Sequence, residues 1–166
     1  MTPVEWATRP LKRYAQFSGR APRAEYWWYV LGLIIAAIVL SIVEGIAGVN
    51  TMVAGIYGPL TVLLWVGTLV PSIAVAVRRL HDTNRTGWWL LGYFIPYAIG
   101  FAMMGPAILN PGSASGMASL GGGAIFMLIG FIMAIVLLVF TIQQGTKGPN
   151  KYGEDPYGAD MEKVFA

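Results

Sequence analysis

The sequence contains no cysteine, and it contains few charged residues. The absence of cysteine excludes disulfides, thiolate chemistry and cysteine-ligated zinc or iron–sulfur sites. Only 11 Lys or Arg and 8 Asp or Glu occur among the 166 residues, which is 11% of the chain. Soluble domains carry about a quarter of their residues as charged side chains. The composition therefore indicates a membrane protein and argues against a soluble globular domain.

The charged residues are missing from three long stretches, which lack histidine as well. These stretches are residues 26–43, 45–77 and 86–146. A helix needs about 20 mostly apolar residues to cross ~30 Å of hydrocarbon, so the last stretch is long enough for two crossings. We therefore predict an all-α integral membrane protein with four transmembrane helices. The predicted spans are approximately residues 26–45, 60–77, 88–109 and 124–142.

Residues 110–123 divide the last stretch, because their Gly, Ser, Pro and Asn content is typical of a turn or linker. Pro71 falls within the second span, where it is expected to kink the helix. Glu44 is the only Asp, Glu, Lys, Arg or His within a predicted span. We expect it at the outer interface, where the substitution Glu44→Gln would leave folding nearly unchanged.

The basic residues occur in three groups that the spans separate. Five precede the first span, three lie between the second and third, and three follow the fourth. They are Arg9, Lys12, Arg13, Arg20 and Arg23; Arg78, Arg79 and Arg85; and Lys147, Lys151 and Lys163. Because Lys and Arg are retained on the cytoplasmic side, both termini are expected in the cytoplasm. The expected organisation is an N-terminal segment (residues 1–25), a membrane domain (26–142) and a tail (143–166).

The N-terminal segment is predicted to contain a short helix over residues 10–17. Pro10 suits the first position of a helix, and Leu11, Tyr14 and Ala15 would share its apolar face. We expect this helix to lie in the headgroup layer. A disordered basic leader is the alternative.

Arg23 and Trp27 are four residues apart, a spacing at which a guanidinium reaches an indole on a helix. Arg20 and Arg23 would also lie near a helix N-terminus, which favours an anion such as a phosphate or a lipid headgroup. In the alternative interpretation, the arginines only set the topology, while Tyr26, Trp27 and Trp28 only anchor the helix at the interface.

The middle loop, residues 78–89, is the densest polar part of the sequence. Arg78 and Asp82 would form an i, i+4 pair if the second helix continued this far. His81 beside Asp82 suggests proton transfer or metal binding, but a single His without Cys is a poor transition-metal site. The interface anchors of this loop are Trp88 and Trp89.

The tail is rich in Gly and Pro, so its first half is expected to form a loop rather than a helix. It would lie on the same side of the membrane as the arginines. We therefore expect it to fold back, to pair Asp155 with one of them and to pack Tyr152 against a tryptophan of the middle loop. A flexible exit from the fourth span is the alternative.

Three segments together carry a recognisable pattern. It reads an aromatic residue and Gly-Arg-Ala-x-Arg-x-Glu-Tyr-Trp before the first span, then Arg-Arg-Leu-His-Asp with Gly-Trp-Trp, then Gly-x-x-Gly-x-Asn-x-Tyr-Gly-x-Asp-Pro. The matching residues are Phe17, Gly19 to Ala21 and Arg23 to Trp27; Arg78 to Asp82 and Gly87 to Trp89; and Gly145, Gly148, Asn150, Tyr152, Gly153, Asp155 and Pro156. In this pattern the chain resembles a bacterial inner-membrane family known as domain of unknown function 805. Asn84 and Thr86 depart from it, where Gly and Ser are expected.

The resemblance covers about residues 10–158. It implies four spans in the bacterial inner (plasma) membrane and motifs that lie together on the cytoplasmic face. It carries over no activity, substrate, cofactor or catalytic residue.

We interpret the arginines as a cluster that binds anionic lipid headgroups or a protein partner, in a module that is not an enzyme. The expected cluster is Arg20, Arg23, Arg78, Arg79 and Arg85, and its expected partners are Glu25, His81, Asp82, Asn150, Tyr152 and Asp155. The sequence indicates no cofactor, metal or nucleic acid, and it leaves homo-oligomerisation open. One alternative is a transporter or channel component, for which Glu44 is the single candidate. The other is an enzyme acting on an inner-leaflet lipid phosphate, with His81 or Asp82 transferring a proton.

Overall fold

A computed structural model describes residues 1–49, 57–109 and 113–157 of the chain. Within these ranges the protein is built from five helices. They are α1 (Pro3–Lys12), α2 (Arg23–Ile46), α3 (Pro59–Asp82), α4 (Trp89–Leu109) and α5 (Ala114–Ile142). The helices form two compact units. The first unit contains α1, α2, α3 and the tail, and the second, Arg85–Gln143, contains α4 and α5.

Three of the described helices, α2, α3 and α5, are long and apolar enough to cross a membrane. The apolar part of α4, Trp89–Gly105, is shorter. Their large apolar side chains lie mainly on the surface. Ile38 of α2 and Ile132 of α5 are about half exposed, and Leu63 of α3 is two-thirds exposed. Such a surface is costly in water and is the expected one in contact with lipid.

Helix α1 begins at Pro3 rather than at Pro10, so the predicted helix over residues 10–17 was wrong. Thr2 caps the N-terminus, because its hydroxyl accepts from the Glu5 backbone at 3.3 Å while the Glu5 carboxylate accepts from the Thr2 N–H at 2.7 Å. This reciprocal pair is a stronger start signal than a lone proline. Helix α1 packs against α2, with Ala7 beside Gly32.

Helix α3 continues through Pro71 to Asp82. Because proline has no N–H, the carbonyl of Gly67, four residues earlier, loses its donor within the helix. The phenol of Tyr14 donates to that carbonyl at 2.6 Å. The N-terminal segment therefore satisfies a polar group that a membrane could not solvate.

Helix α5 begins at Ala114, ten residues before the predicted span, so the predicted linker is helical from Ala114 onward. The rest of that linker, residues 110–112, lies outside the described residues. Ser113 caps the helix by accepting from the Gly116 N–H at 3.0 Å. A Cβ added to Gly123 would lie 3.0 Å from the Gly100 carbonyl oxygen of α4. Glycine here permits close packing of two helices, which is its common use in membrane proteins.

Glu44 lies near the C-terminal end of α2, and its side chain is buried. Its carboxylate accepts from the N–H groups of Gly58 at 3.2 Å and Thr61 at 3.1 Å, from the N–H of Leu60, and from the Thr61 hydroxyl at 2.6 Å. These donors belong to the first turn of α3, which has no intrahelical acceptors. Glu44 is therefore a cap supplied to α3 by another helix.

This geometry reverses the expectation that Glu44→Gln is neutral. The amide would direct an NH₂ group towards backbone donors, so we expect a loss of about 1–3 kcal/mol in the free energy of unfolding. Thermal unfolding in lipid nanodiscs measures it. Glu154→Gln, the same change at an exposed position of the tail, is the control. Equal stability of the two variants would contradict the capping role.

Candidate functional site

The turn between α1 and α2 lies against the C-terminal end of α3. Gly19 has a φ of +87°, a conformation that favours glycine. Its carbonyl oxygen lies 3.1 Å from Nδ1 of His81, and the Ala21 N–H donates to the Arg78 carbonyl at 3.0 Å. These contacts place the side chain of Arg20 at the end of α3.

Arg20 is buried and joins α3 to the tail. Its Nε donates to Oδ1 of Asp82 at 3.0 Å. Its Nη1 donates to the Gly148 carbonyl at 2.6 Å, and its Nη2 donates to the Thr146 carbonyl. The planar, five-donor guanidinium can make these contacts simultaneously, which a lysine ammonium could not reproduce.

Asp82 is the acceptor that connects these segments. Its Oδ2 pairs with Nη1 of Arg79, while its backbone carbonyl accepts from the Thr146 N–H at 2.9 Å and hydroxyl at 3.1 Å. The expected pairing of Asp82 with arginines is therefore confirmed for Arg20 and Arg79. Arg78 is different, because its guanidinium points to α2 and pairs with another carboxylate.

That carboxylate is Glu25. Nη1 of Arg78 lies 2.6 Å from Oε1 of Glu25, and both side chains are fully buried. Nε of Arg9, on α1, lies 3.5 Å from Oε2 of Glu25. We call Arg20, Arg78, Arg79, Glu25 and Asp82 the ion-pair cluster. Removing one member of such a buried pair typically costs about 3–5 kcal/mol, because the remaining charge is left uncompensated.

The tail folds back onto the end of α3, as expected from the sequence. The Asn150 side-chain amide donates to the His81 carbonyl at 3.0 Å. The ring of Tyr152 stacks on the imidazole of His81, with centroids 3.8 Å apart and planes 4° from parallel. We expected Tyr152 to pack against a tryptophan, but its partner is this histidine. Gly145 permits the close approach, because a Cβ at this position would collide with the carboxylate of Asp82.

Asp155 has a different role from the predicted one. Its carboxylate accepts from the Gly148 N–H at 2.9 Å and the Tyr157 N–H at 3.0 Å, so it organises the tail itself. The carboxylates that pair with Arg9, Arg20, Arg78 and Arg79 are instead Glu25 and Asp82. Hydrogen bonding, mainly by the Tyr157 N–H, holds the pKa of Asp155 below its ordinary value.

Arg85 and the two tryptophans of the middle loop belong to the second unit. The Arg85 guanidinium lies 3.9 Å from the centroid of the Phe140 ring, a cation–π contact. Trp89 meets the same ring edge to face at 5.2 Å, and Trp88 is three-quarters exposed. In the first unit, Tyr26 meets Trp27 edge to face at 5.4 Å.

A cavity of about 470 Å³ opens beside the ion-pair cluster. We call it the polar cavity. Its charged lining consists of Arg20, Arg23, Lys147, Asp82 and Asp155. The lining is completed by Gln144, Gly145, Thr146, Gly148 and Tyr157. The binding cluster predicted from the sequence does not include Lys147. Its position becomes evident only from the path of the tail.

A shallow, open depression of about 440 Å³ lies on the surface of α2 and shares Arg23 with the polar cavity. We call it the α2 groove. The other side chains lining it are Ala24, Trp27, Trp28 and Leu31.

Asp82→Asn should release the tail, because it removes the anion that Arg20 and Arg79 share. We expect trypsin to cut after Lys147 and Lys151 at least about tenfold faster than in the unsubstituted protein. Glu154→Gln should leave the rate unchanged. Cleavage after Arg13 reports on general unfolding and should change less. An Asp82→Asn protein with a fully protected tail would show that the cluster does not hold it.

The sequence profile of a family described as "Protein of unknown function (DUF805)" matches residues 14–154. The "Inner membrane protein YhaI" and "Inner membrane protein YhaH" of Escherichia coli K12 are each 33% identical to the chain over 153 residues. These alignments cover 92% of this chain and 96% and 97% of the two relatives. The "Uncharacterized protein YiiR" of the same organism is 32% identical over 84% of each chain. No solved structure matches. The chain is a multi-pass inner-membrane protein and belongs to the DUF805 family.

Proposed function

We propose that this protein is a non-enzymatic membrane module that binds a phosphate-bearing anion in the polar cavity, on the cytoplasmic side of the inner membrane. The observation that carries the proposal is the pair of exposed cationic side chains, Arg23 and Lys147, that line this cavity beside the buried Arg20. Guanidinium and ammonium groups together are the usual protein ligands of phosphate.

The carboxylates of the cavity do not cancel this positive charge. Asp82 is shared by two arginines, Arg20 and Arg79. The carboxylate of Asp155 accepts from two backbone N–H groups, and the charge of Arg20 adds a smaller stabilisation. The charged lining therefore comprises three cations and two carboxylates, both of which are already engaged. A phosphate would place negative charge beside the two exposed cationic side chains.

The proposal assigns anion binding to fewer arginines than the cluster predicted from the sequence contains. Arg78 and Arg79 are fully buried in ion pairs, so they are assigned to holding the segments together. Arg20 is assigned to positioning the cavity wall through its bonds to the tail. The residues proposed to contact the anion are Arg23 and Lys147.

The proposed topology is four membrane crossings, by α2, α3, α4 and α5, with both termini in the cytoplasm. The distribution of all eleven Lys and Arg residues supports it. In this Cys-free chain, a cysteine at the exposed Ser115 should react with a membrane-impermeant maleimide from the periplasm. A cysteine at the exposed Lys151 should react only after the membrane is opened; Thr83 is buried and is a poorer reporter. The reverse pattern would overturn the orientation.

The geometry gives less support to the two alternative functions. A transport path needs an ionisable group able to exchange protons or ions, but the carboxylate of Glu44 is occupied by four donors of α3. Proton transfer would need His81 or Asp82 to face a substrate. The first is covered by Tyr152, and the second is held by two arginines.

The test of anion binding compares two lysine substitutions with the same charge change. Lys147→Gln should weaken binding of phosphatidylglycerol about two- to fivefold, the effect of one solvent-exposed ion contact of up to about 1 kcal/mol. Lys12→Gln changes an exposed lysine of α1 that does not line the cavity, and it should have no effect. Native mass spectrometry with increasing lipid gives the affinities.

Phosphatidylcholine with the same acyl chains is the control ligand, because its headgroup carries no net charge. It should bind more weakly to the unsubstituted protein and should not distinguish the two variants. Equal losses in Lys147→Gln and Lys12→Gln would mean general attraction to a basic surface, and would refute a site in the polar cavity.

A further inference from the structure

Arg23 lines both the polar cavity and the α2 groove, which differ in chemistry. On one side the polar cavity presents Arg20, Lys147 and other residues of the tail. On the other side the α2 groove presents mainly apolar surface, formed by Trp27, Trp28 and Leu31. A charged site and an apolar groove that meet at one arginine match a ligand that is itself amphiphilic.

The α2 groove follows the helix from its first residue towards its apolar middle. Arg23, Trp27 and Leu31 are spaced by four residues, so they lie on one face, and the groove extends for about 12 Å at 1.5 Å per residue. Beyond Leu31 the same face continues with Ile35 and Ile38, which are both exposed. The groove therefore leads from the polar cavity to the apolar surface of a membrane-length helix.

We infer that the polar cavity and the α2 groove together form a site for a single anionic phospholipid. Its phosphate lies between Arg23 and Lys147, and one acyl chain lies along Trp27, Trp28 and Leu31. This inference rests on the proposed anion binding and names the source of the anion. A water-soluble phosphate compound would use the polar cavity alone and would gain nothing from the groove.

The residue types agree with this assignment. Tryptophan prefers the boundary between headgroups and hydrocarbon, where an apolar ring can contact the first methylenes of a chain. Arginine can lay its own apolar stem along such a surface while its guanidinium binds phosphate. Each buried methylene adds to affinity, so the groove would make binding depend on the chain as well as on the headgroup.

The experiment compares two probes that differ only in their chains. One is phosphatidylglycerol with two eight-carbon chains, and the other is glycerophosphoglycerol, the same headgroup without chains. We expect the lipid to bind at least about tenfold more tightly. Leu31→Trp, which fills the groove with an indole, should weaken lipid binding about fivefold or more and leave binding of glycerophosphoglycerol unchanged.

Ile42→Trp is the matched control, because Ile42 is exposed on the same helix but does not line the groove. It should change neither affinity. Trp28→Ala removes a wall of the groove instead of filling it and should also weaken lipid binding, which keeps the test valid if Leu31→Trp misfolds. Melting temperatures of all variants identify misfolding.

The outcomes separate the inference from the proposed function. If both probes bind equally, Lys147→Gln weakens both, and neither groove variant has an effect, the cavity is a site for soluble anions and the phospholipid site is overturned. If Lys147→Gln weakens neither probe, the proposed anion binding itself fails. Chain-dependent binding that both Lys147→Gln and Leu31→Trp weaken supports the phospholipid site.

Discussion

The contact between Arg20 and Asp82 is the interaction on which the rest of the first unit depends. It joins the turn before α2 to the last residue of α3, and the same guanidinium holds two carbonyl groups of the tail. Burying these charges carries a desolvation penalty. The penalty is offset because Arg20 Nε, both of its terminal nitrogens and both oxygens of Asp82 have partners.

A second constraint is the scarcity of water along apolar helices, which obliges side chains to satisfy backbone groups. Tyr14 donates to the carbonyl that Pro71 leaves without a partner. Glu44 accepts from the first turn of α3, where no side-chain cap is available locally. In both cases a polar residue that could be mistaken for a functional one completes the hydrogen bonding of another helix. The N-terminal segment and α2 therefore supply hydrogen bonds that complete α3.

Much of the helical architecture could be predicted, because charge-free stretches of span length have few other structures available to them. The helix starts were less predictable. The Thr-Pro-x-Glu signal at residues 2–5, and not Pro10, marks the start of α1. The Gly/Ser-rich segment that composition predicts to be a linker forms the start of α5. Glycine is common in the loops of soluble proteins, but Gly123 of α5 permits close packing against Gly100 of α4.

Most residues of the candidate site could be predicted from the sequence, but not which carboxylate pairs with which arginine. Arg20, Asp82 and the tail lie together, as expected from the predicted placement of their motifs on one side of the membrane. Which carboxylate meets which arginine depends on the rotation of α3 about its axis and on the path of the tail, and neither is encoded locally. Arg78 therefore meets Glu25, and Asp155 meets backbone N–H groups.

A double-mutant cycle between Arg20 and Asp82 tests the central claim most directly. Arg20→Met and Asp82→Asn would be made singly and together, and the free energy of unfolding would be measured in lipid nanodiscs. The account predicts a coupling energy of at least about 1.5 kcal/mol between the two substitutions, because each side chain stabilises the fold much less when the other is absent. Losses that add within about 0.5 kcal/mol would show that the pair does not hold these segments together.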